Sequence, residues 1–234
     1  MSTLNPTRKV SRRHELREDT VITFYARAID FFENNRNVVY GVLGGIVLLA
    51  ALIVGWNWNQ ANRNETALSE MAEAVRQYEA GSYQAALDGD LSFTGLVDVA
   101  DQYGGTASGN LAKFYAADAL FRTGDMVSAL SFFQDYSKEA DYIGASAFAG
   151  EAAILEMQGD MSRAGDLYLR AANVFKSDIT SPMYLSRAAR AFEAGGDTKD
   201  AVRALEAIQD DYPSSQAARN VEFRLATLGS FDQN

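Results

Sequence analysis

The chain has 234 residues, with 31 Asp and Glu against 21 Lys and Arg, and it contains no cysteine. The lack of cysteine excludes a disulfide framework, thiolate catalysis and a cysteine-based zinc site. The single histidine is His14, near the N-terminus. The remainder of the chain therefore cannot build a Ser-His or Cys-His triad or a histidine-ligated metal site.

The first 37 residues form the predicted N-terminal region. Met1–Arg17 is polar and basic without apolar periodicity, which predicts a mobile tail. From Glu18 to Asn34 apolar residues recur near helical spacing, which predicts an amphipathic helix. This helix could lie on the cytoplasmic face of a membrane or simply extend the next segment, and the sequence leaves both possibilities open.

The segment Val38–Trp58 is a predicted membrane span. It lies within a run between Arg36 and Arg63 that has no charged residue. A helix of this length reaches about 30 Å, the thickness of the hydrocarbon core of a bilayer. A buried core helix would keep a polar stripe, and a signal peptide has an apolar run of only about 7–15 residues. We therefore expect a permanent anchor that is not cleaved.

The charges on either side of the span predict its orientation. The region 1–37 has a net charge of +2, whereas the rest of the chain has a net charge of −12. Because Lys and Arg near a span stay in the cytoplasm, we expect the N-terminus inside and the acidic domain outside. In a bacterium this places the anchor in the inner membrane, in contact with its lipids, and the domain in the periplasm. The acidic domain also argues against a nucleic-acid partner.

Residues 59–110 are predicted to form a first helical hairpin and a glycine-rich insertion. Ala61–Glu79 has apolar residues at spacings of three and four and ends before Gly81, and a second helix begins at Tyr83. The insertion contains one short helix candidate, Leu96–Tyr103. The Asp88–Asp90 stretch could suggest calcium, but it lacks the EF-hand register, so we expect a capped turn.

Residues 111–234 contain a repeat, which predicts an all-α fold with a tetratricopeptide-like helical-hairpin solenoid after the transmembrane helix. Gly-Asp pairs end one helix and begin the next at Gly124, Gly159 and Gly196, at intervals of 35 and 37 residues. Tetratricopeptide repeats have a period of roughly 34 residues. Gln216–Leu228, with apolar Val221, Phe223 and Leu225, should form a C-terminal helix that caps the solenoid.

Small and large residues recur at fixed positions in the second helix of each predicted hairpin. Alanine lies four residues after each Asp, where a larger side chain would push the helix away from its partner. A bulky residue follows four positions later and is expected to pack between hairpins. The alanines are Ala129, Ala164 and Ala201, and the bulky residues are Phe133, Tyr168 and Leu205.

Stacked hairpins expose a concave surface formed by the first helix of each pair, a surface that commonly binds peptides. We therefore predict a protein-binding groove, although several of its residues could instead pack internally or face water. The repeat register assigns to it Leu111, Phe114, Asp118, Phe121, Arg122, Ala149, Ala153, Glu156, Met157, Met183, Ser186, Arg190 and Glu193.

Several features together resemble a known family. Paired Phe31 and Phe32, a glycine-containing span ending in Trp56 and Trp58, and the hairpins are similar to the ancillary subunit of the bacterial Sec translocon. The stretch 87–121 is also similar to tetratricopeptide-like anchored proteins of the Bacteroidetes and their relatives. The resemblance implies work at the periplasmic exit of the translocon, with nascent secreted chains and a periplasmic chaperone or prolyl isomerase as partners.

Two functional hypotheses follow. The first is a non-enzymatic adaptor or chaperone-like subunit, and the second is a structural scaffold of another envelope complex for division, motility or secretion. No cofactor is expected. The acidic pairs Asp98/Asp101 and Asp210/Asp211 do not favour an enzyme, because glycosidase-type catalysis needs two carboxylates that converge across a cleft.

Overall fold

The structure, a computed structural model, describes residues 31–231 of the chain. In this part the backbone is helical, apart from turns and an isolated bridge between Gly89 and Thr94. The predicted all-α class is therefore confirmed for these residues. The predicted tail Met1–Arg17 and most of the predicted amphipathic helix, up to residue 30, lie outside the described part.

The helices follow one another with short connections. Those that lie wholly within the described residues are α1 (Arg36–Glu79), α2 (Tyr83–Asp88), α3 (Leu96–Tyr103), α4 (Ala107–Thr123), α5 (Met126–Asp135), α6 (Tyr142–Met157), α7 (Met161–Val174), α8 (Thr180–Gly195), α9 (Thr198–Asp211), a 3₁₀ helix (Ala217–Asn220) and α10 (Val221–Phe231).

Helix α1 contains the predicted span. Its length and composition are sufficient to cross a membrane, with a mean hydropathy of 2.5 over the most apolar 18-residue window, none of which is buried. A helix from the core of a soluble protein would bury most of such a window. The chain divides within α1 into two compact units, the first ending at Asn59 and the second beginning at Gln60.

Four hairpin turns are built in the same way. Gly81, Gly124, Gly159 and Gly196 each have a left-handed φ between 81° and 93°. At Gly124 the next amide, that of Asp125, donates to the carbonyl of Leu120 at 3.0 Å, and the other three turns repeat this bond. A side chain would be strained at this φ, whereas glycine adopts it readily. The predicted glycine turns are confirmed.

Close approach between helices depends on the small residues. Ala129, Ala164 and Ala201 are fully buried, and Phe133, Tyr168 and Leu205 are at most 1% exposed. The predicted positions of small and bulky residues are therefore confirmed. The ring of Phe133 also occupies space that is open because residue 150 of α6 is glycine. A Cβ on Gly150 would lie 2.4 Å from Cζ of Phe133.

The insertion packs along the part of α1 that belongs to the second unit. Gln60 donates to the carbonyl of Gly105, and Asn64 accepts from the amide of Ser108 at 2.7 Å. The Asp88–Asp90 stretch is a turn in which Asp90 accepts from the amide and hydroxyl of Ser92, both at 2.6 Å. Both the predicted helix Leu96–Tyr103 and the predicted capped turn are confirmed.

The C-terminal α-helix begins later than predicted. The segment 217–220 forms a 3₁₀ turn, and the α-helix begins only at Val221. Val221 is buried, and Leu225 and Leu228 pack on the last hairpin, but Phe223 is 76% exposed. Val221, Leu225 and Leu228 share one face of the α-helix at spacings of four and three, whereas Phe223, two residues after Val221, lies on the other side.

We predict that Gly150→Ala lowers the free energy of unfolding. The added methyl group would collide with the buried ring of Phe133, and overpacking of this kind costs about 1–3 kcal/mol. Urea unfolding of the full chain in detergent, followed by circular dichroism, measures the effect. The control is Gly229→Ala in α10, where a Cβ meets no atom within 4 Å. An unfolding midpoint for Gly150→Ala equal to that of Gly229→Ala would contradict the packing described for this interface.

Candidate protein-binding groove

Three of the predicted groove residues on α4 pack inward. Leu111, Phe114 and Phe121 are half-buried against hydrophobic clusters. The ring of Phe114 lies 6.3 Å from that of Phe133 and 5.8 Å from that of Tyr136. These side chains therefore contribute to the packing of α4 on its neighbours.

Asp118 and Arg122, also on α4, form a polar network with the first hairpin. The carboxylate of Asp118 accepts from the hydroxyl of Tyr78 and from Nε of Arg122. Arg122 also donates to the hydroxyl of Tyr83 at 3.2 Å, and its guanidinium lies 5.2 Å from the centre of that ring. The network joins α1, α2 and α4, so both predicted groove residues already have partners.

The groove residues on α6 have mixed environments. Ala149 and Ala153 are half-buried, and Ala149 packs on the core of the last two hairpins. Glu156 accepts a hydrogen bond at 2.9 Å from the hydroxyl of Tyr168. Met157, at the end of α6, is 65% exposed. Among the predicted groove residues of α6, Met157 therefore presents an open apolar surface.

Helix α8 forms one wall of a real cavity. Its volume is 560 Å³, and the opposite wall is the turn 215–217 that leads into the 3₁₀ helix. Met183, Ser186 and Arg190, all predicted groove residues, line it. The structure thus brings these three side chains together in a space large enough for part of a peptide. The other lining residues are Asp178, Ile179, Pro182, Arg187, Ser215, Gln216 and Ala217.

The cavity combines apolar and cationic groups. Ile179 is 83% exposed and Met183 43% exposed, so water covers apolar surface at the rim. Arg187 and Arg190 contribute two positive charges, and Asp178 contributes one negative charge. Arg190 forms no ion pair within residues 31–231. Such a surface can accept an apolar side chain together with a neighbouring carboxylate.

The last predicted groove residue, Glu193, is bound by a residue of the C-terminal helix. Its carboxylate pairs with Arg224 of α10 at 2.7 Å, and the two side chains are only 29% and 21% exposed. Arg224 also reaches the hydroxyl of Ser186 at 3.5 Å. This ion pair holds α10 against α8 and so closes one side of the α8 surface.

Comparison with known proteins is informative at the level of the fold. A family model described as a tetratricopeptide repeat matches residues 184–215, which cover most of α8, all of α9 and the turn after it. A comparison with curated proteins gives no match. The chain is also similar to a crystal structure of a Podospora anserina putative kinesin light chain with nearly identical TPR-like repeats, where TPR denotes the tetratricopeptide repeat. The identity is 17%, the TM-score 0.51, and the match covers 73% of this chain and 88% of that one.

The chain has a tetratricopeptide-like fold. The predicted helical solenoid is confirmed, and folds of this kind generally bind other proteins. Within the part of the chain that the structure describes, no group of three or more His, Cys, Asp or Glu is placed to hold a metal ion.

The C-terminal segment contributes residues that the repeat pattern did not predict. Ser215, Gln216 and Ala217 line the cavity, and Arg224 binds Glu193, yet none of them belongs to the repeat register. The one signal in the sequence is that Arg219 and Arg224 are the basic residues of a final segment that follows the acidic end of α9. That Glu193 is the partner of Arg224 could be seen only in the fold.

We predict that Tyr78→Phe destabilises the protein in a pH-dependent way. The variant loses the hydrogen bond to the Asp118 carboxylate, which is worth about 1.5–3 kcal/mol. Burial, and then this hydrogen bond, raises the pKa of Tyr78 well above its usual range. The folded protein holds this proton more tightly than the unfolded chain does. The hydrogen bond therefore stabilises the fold fully below about pH 10, and this stabilisation is lost as the pH rises further.

Urea unfolding of both proteins between pH 7 and pH 11 tests this. The stability difference should be constant up to about pH 10, the usual range for tyrosine, and should then shrink. Tyr142→Phe, at a side chain that is 56% exposed, serves as the control and should change little. A difference that stays constant or grows above pH 10 would show that Tyr78 does not titrate as described.

Proposed function

We propose that this protein is a membrane-anchored, non-enzymatic binding module that holds segments of other proteins in the cavity on α8. The observation that carries the proposal is the 560 Å³ cavity, in which Met183, Ser186 and Arg190 of a tetratricopeptide-like hairpin face the turn 215–217. The tetratricopeptide-like fold supports it, since such folds generally serve as scaffolds for protein binding.

The chemistry of the cavity suggests which segments it holds. Exposed Ile179 and Met183 favour an apolar side chain, because its burial removes their apolar surface from water. Arg187 and Arg190 favour an acidic residue beside it. The clients are therefore expected to present an extended or unfolded segment in which an apolar residue neighbours a carboxylate.

The anchor is proposed to be the N-terminal part of α1. The uncharged run between Arg36 and Arg63, and an apolar window of which no residue is buried, support a bilayer span. Trp56 and Trp58 are 70% and 71% exposed at one end of this run, where the aromatic belt of a membrane protein lies. The charge difference across the run favours a cytoplasmic N-terminus and a periplasmic domain at a bacterial inner membrane.

A more specific role follows from the resemblance to the ancillary subunit of the Sec translocon. In this role the anchor keeps the binding module beside the translocon, and the cavity receives nascent secreted chains as they emerge. A membrane-anchored periplasmic chaperone or prolyl isomerase would then act on the same chains. The paired Phe31 and Phe32, the Trp56 and Trp58 motif and the hairpins support this role.

Site-specific photo-cross-linking tests the proposed function. A benzophenone amino acid at Ile179, on the rim of the cavity, should cross-link to many different envelope or secreted proteins in intact cells. Arg190→Glu in the same chain should reduce the yield several-fold, because it reverses a charge that faces the ligand. Lys199→Glu makes an equal charge change at an exposed position of α9; it is the matched control and should leave the yield unchanged.

The pattern of products separates the alternatives. Many unrelated products support a chaperone-like adaptor, whereas one stoichiometric product would show a scaffold subunit of another envelope complex. A second probe at Gln209, exposed on α9, sets the background. Equal products from Ile179 and Gln209, or a yield that Arg190→Glu does not change, would refute the α8 cavity as the binding site.

A further inference from the structure

A second cavity, formed by polar residues, lies among α5, α6 and α7 and shares no residue with the cavity on α8. Its volume is 400 Å³. Two helices of one hairpin and the second helix of the preceding hairpin contribute to it, together with the turn between α5 and α6. The lining residues are Gln134, Tyr136, Lys138, Phe148, Glu151 and Arg170.

One ion pair is built into the wall of this cavity. Nζ of Lys138 lies 3.4 Å from the carboxylate of Glu151, and the two side chains are only 10% and 11% exposed. Lys138 also donates to the backbone carbonyl of Phe133. A buried charge is costly unless it is paired and hydrogen-bonded. Lys138 and Glu151 therefore satisfy each other and leave no net charge between them.

Arg170, an exposed residue of α7, is the second cation of the lining. Its Cζ lies 4.2 Å from the ring centre of Phe148, and Nζ of Lys138 lies 5.3 Å from the same ring centre. Within residues 31–231 Arg170 forms no ion pair and no hydrogen bond. Stacking covers one face of the guanidinium but leaves its N–H edge able to bind an anion. The ring thus holds Arg170 in place with its donors unused.

Tyr136 adds a neutral donor to the same cavity. The residue is 6% exposed, and its hydroxyl has no hydrogen-bond partner among the described residues. Burial, with smaller contributions from Asp141 and Glu139, raises the pKa of Tyr136 to about 12. The hydroxyl therefore keeps its proton at neutral pH and can donate a hydrogen bond to a ligand.

We infer that this cavity binds one carboxylate group of a peptide, a chain terminus or an acidic side chain, between the Arg170 guanidinium and the Tyr136 hydroxyl. The lining residues carry two cations and one anion, and further acids lie close by: Glu139 and Asp141 near Tyr136, and Asp166 one turn before Arg170. A ligand with a single negative charge is therefore repelled less than one with two. A phosphate, with nearly two negative charges at neutral pH, would face Glu151 and the nearby acids Glu139 and Asp141. The inference does not depend on the proposed function of the α8 cavity.

The full chain in detergent micelles, with ¹⁵N-labelled arginine, tests the inference by NMR. The probes are acetyl-Ala-Glu-Ala-amide and acetyl-Ala-Ala with a free carboxyl terminus, and acetyl-Ala-Gln-Ala-amide is the neutral comparison. At least one carboxylate peptide should shift the Nε resonance of Arg170 saturably, and the neutral peptide should not. The peptide that binds more tightly identifies the source of the carboxylate.

Variants separate binding from folding. Arg170→Gln should abolish the saturable response, and Arg170→Lys should restore part of the affinity, measured by calorimetry. Tyr136→Phe should weaken binding about tenfold, as expected for one lost hydrogen bond to a charged group. Arg76→Gln on α1 is the matched control, because Arg76 already pairs with Glu73 at 2.6 Å and lies outside the cavity, and it should bind normally. Thermal unfolding confirms that each variant is folded.

Four results would overturn the inference. These are the absence of any saturable shift, an equal response to the neutral peptide, tighter binding of inorganic phosphate than of either carboxylate peptide, and an equal loss of binding in Arg76→Gln. If Arg170→Gln does not fold, Tyr136→Phe decides the question, and an unchanged affinity in that variant would contradict the assigned site.

Discussion

The stack of hairpins depends on how closely successive helices approach one another. Two features make this approach possible: a left-handed glycine that reverses the chain within two residues, and small residues where helix axes cross. Gly150 shows the constraint most clearly, because the ring of Phe133 occupies the space that a side chain would need. Gly165 and Phe192 repeat the arrangement in the next hairpin. Interiors packed this closely tolerate little added volume.

Local signals were sufficient to predict these features. A Gly-Asp pair combines the residue that favours a left-handed turn with one that caps the next helix, so the hairpins could be located without knowledge of distant contacts. Asp125 and Asp160 do accept amide hydrogen bonds from Ser128 and Arg163. Asp197 begins its helix without such a bond. Repetition of the turn therefore carries more information than any single cap.

The binding surface could be predicted only in part, because its partners come from elsewhere in the chain. The repeat register placed Met183, Ser186 and Arg190 on one helix face, and the structure brings them to one cavity. The same register could not show that Asp118 is bound by Tyr78, 40 residues earlier, or that Arg224 binds Glu193, 31 residues before it. Long-range ion pairs and hydrogen bonds of this kind have no local sequence pattern.

In a domain with such an excess of acidic residues, a basic residue without an acidic partner is a candidate site for an acidic ligand. Four of the six ion pairs in the described residues join side chains three or four residues apart, as in Arg76 with Glu73 and Arg163 with Asp160. Such exposed pairs contribute little to stability. Arg187, Arg190 and Arg170 differ, because each lines one of the two cavities described above and forms no ion pair in the described part of the chain. These guanidinium groups are free to pair with an acidic ligand.

The central claim is that one chain joins a membrane anchor to a protein-binding domain on the outer side of the membrane. Paired cysteine labelling tests it most directly, since the sequence contains no cysteine. A cysteine at Asp210 should react with a membrane-impermeant maleimide once the outer membrane is opened, whereas one at Ser11 should react only after the inner membrane is lysed. Labelling of Ser11→Cys before Asp210→Cys, or release of the chain from membranes by carbonate, would contradict the account.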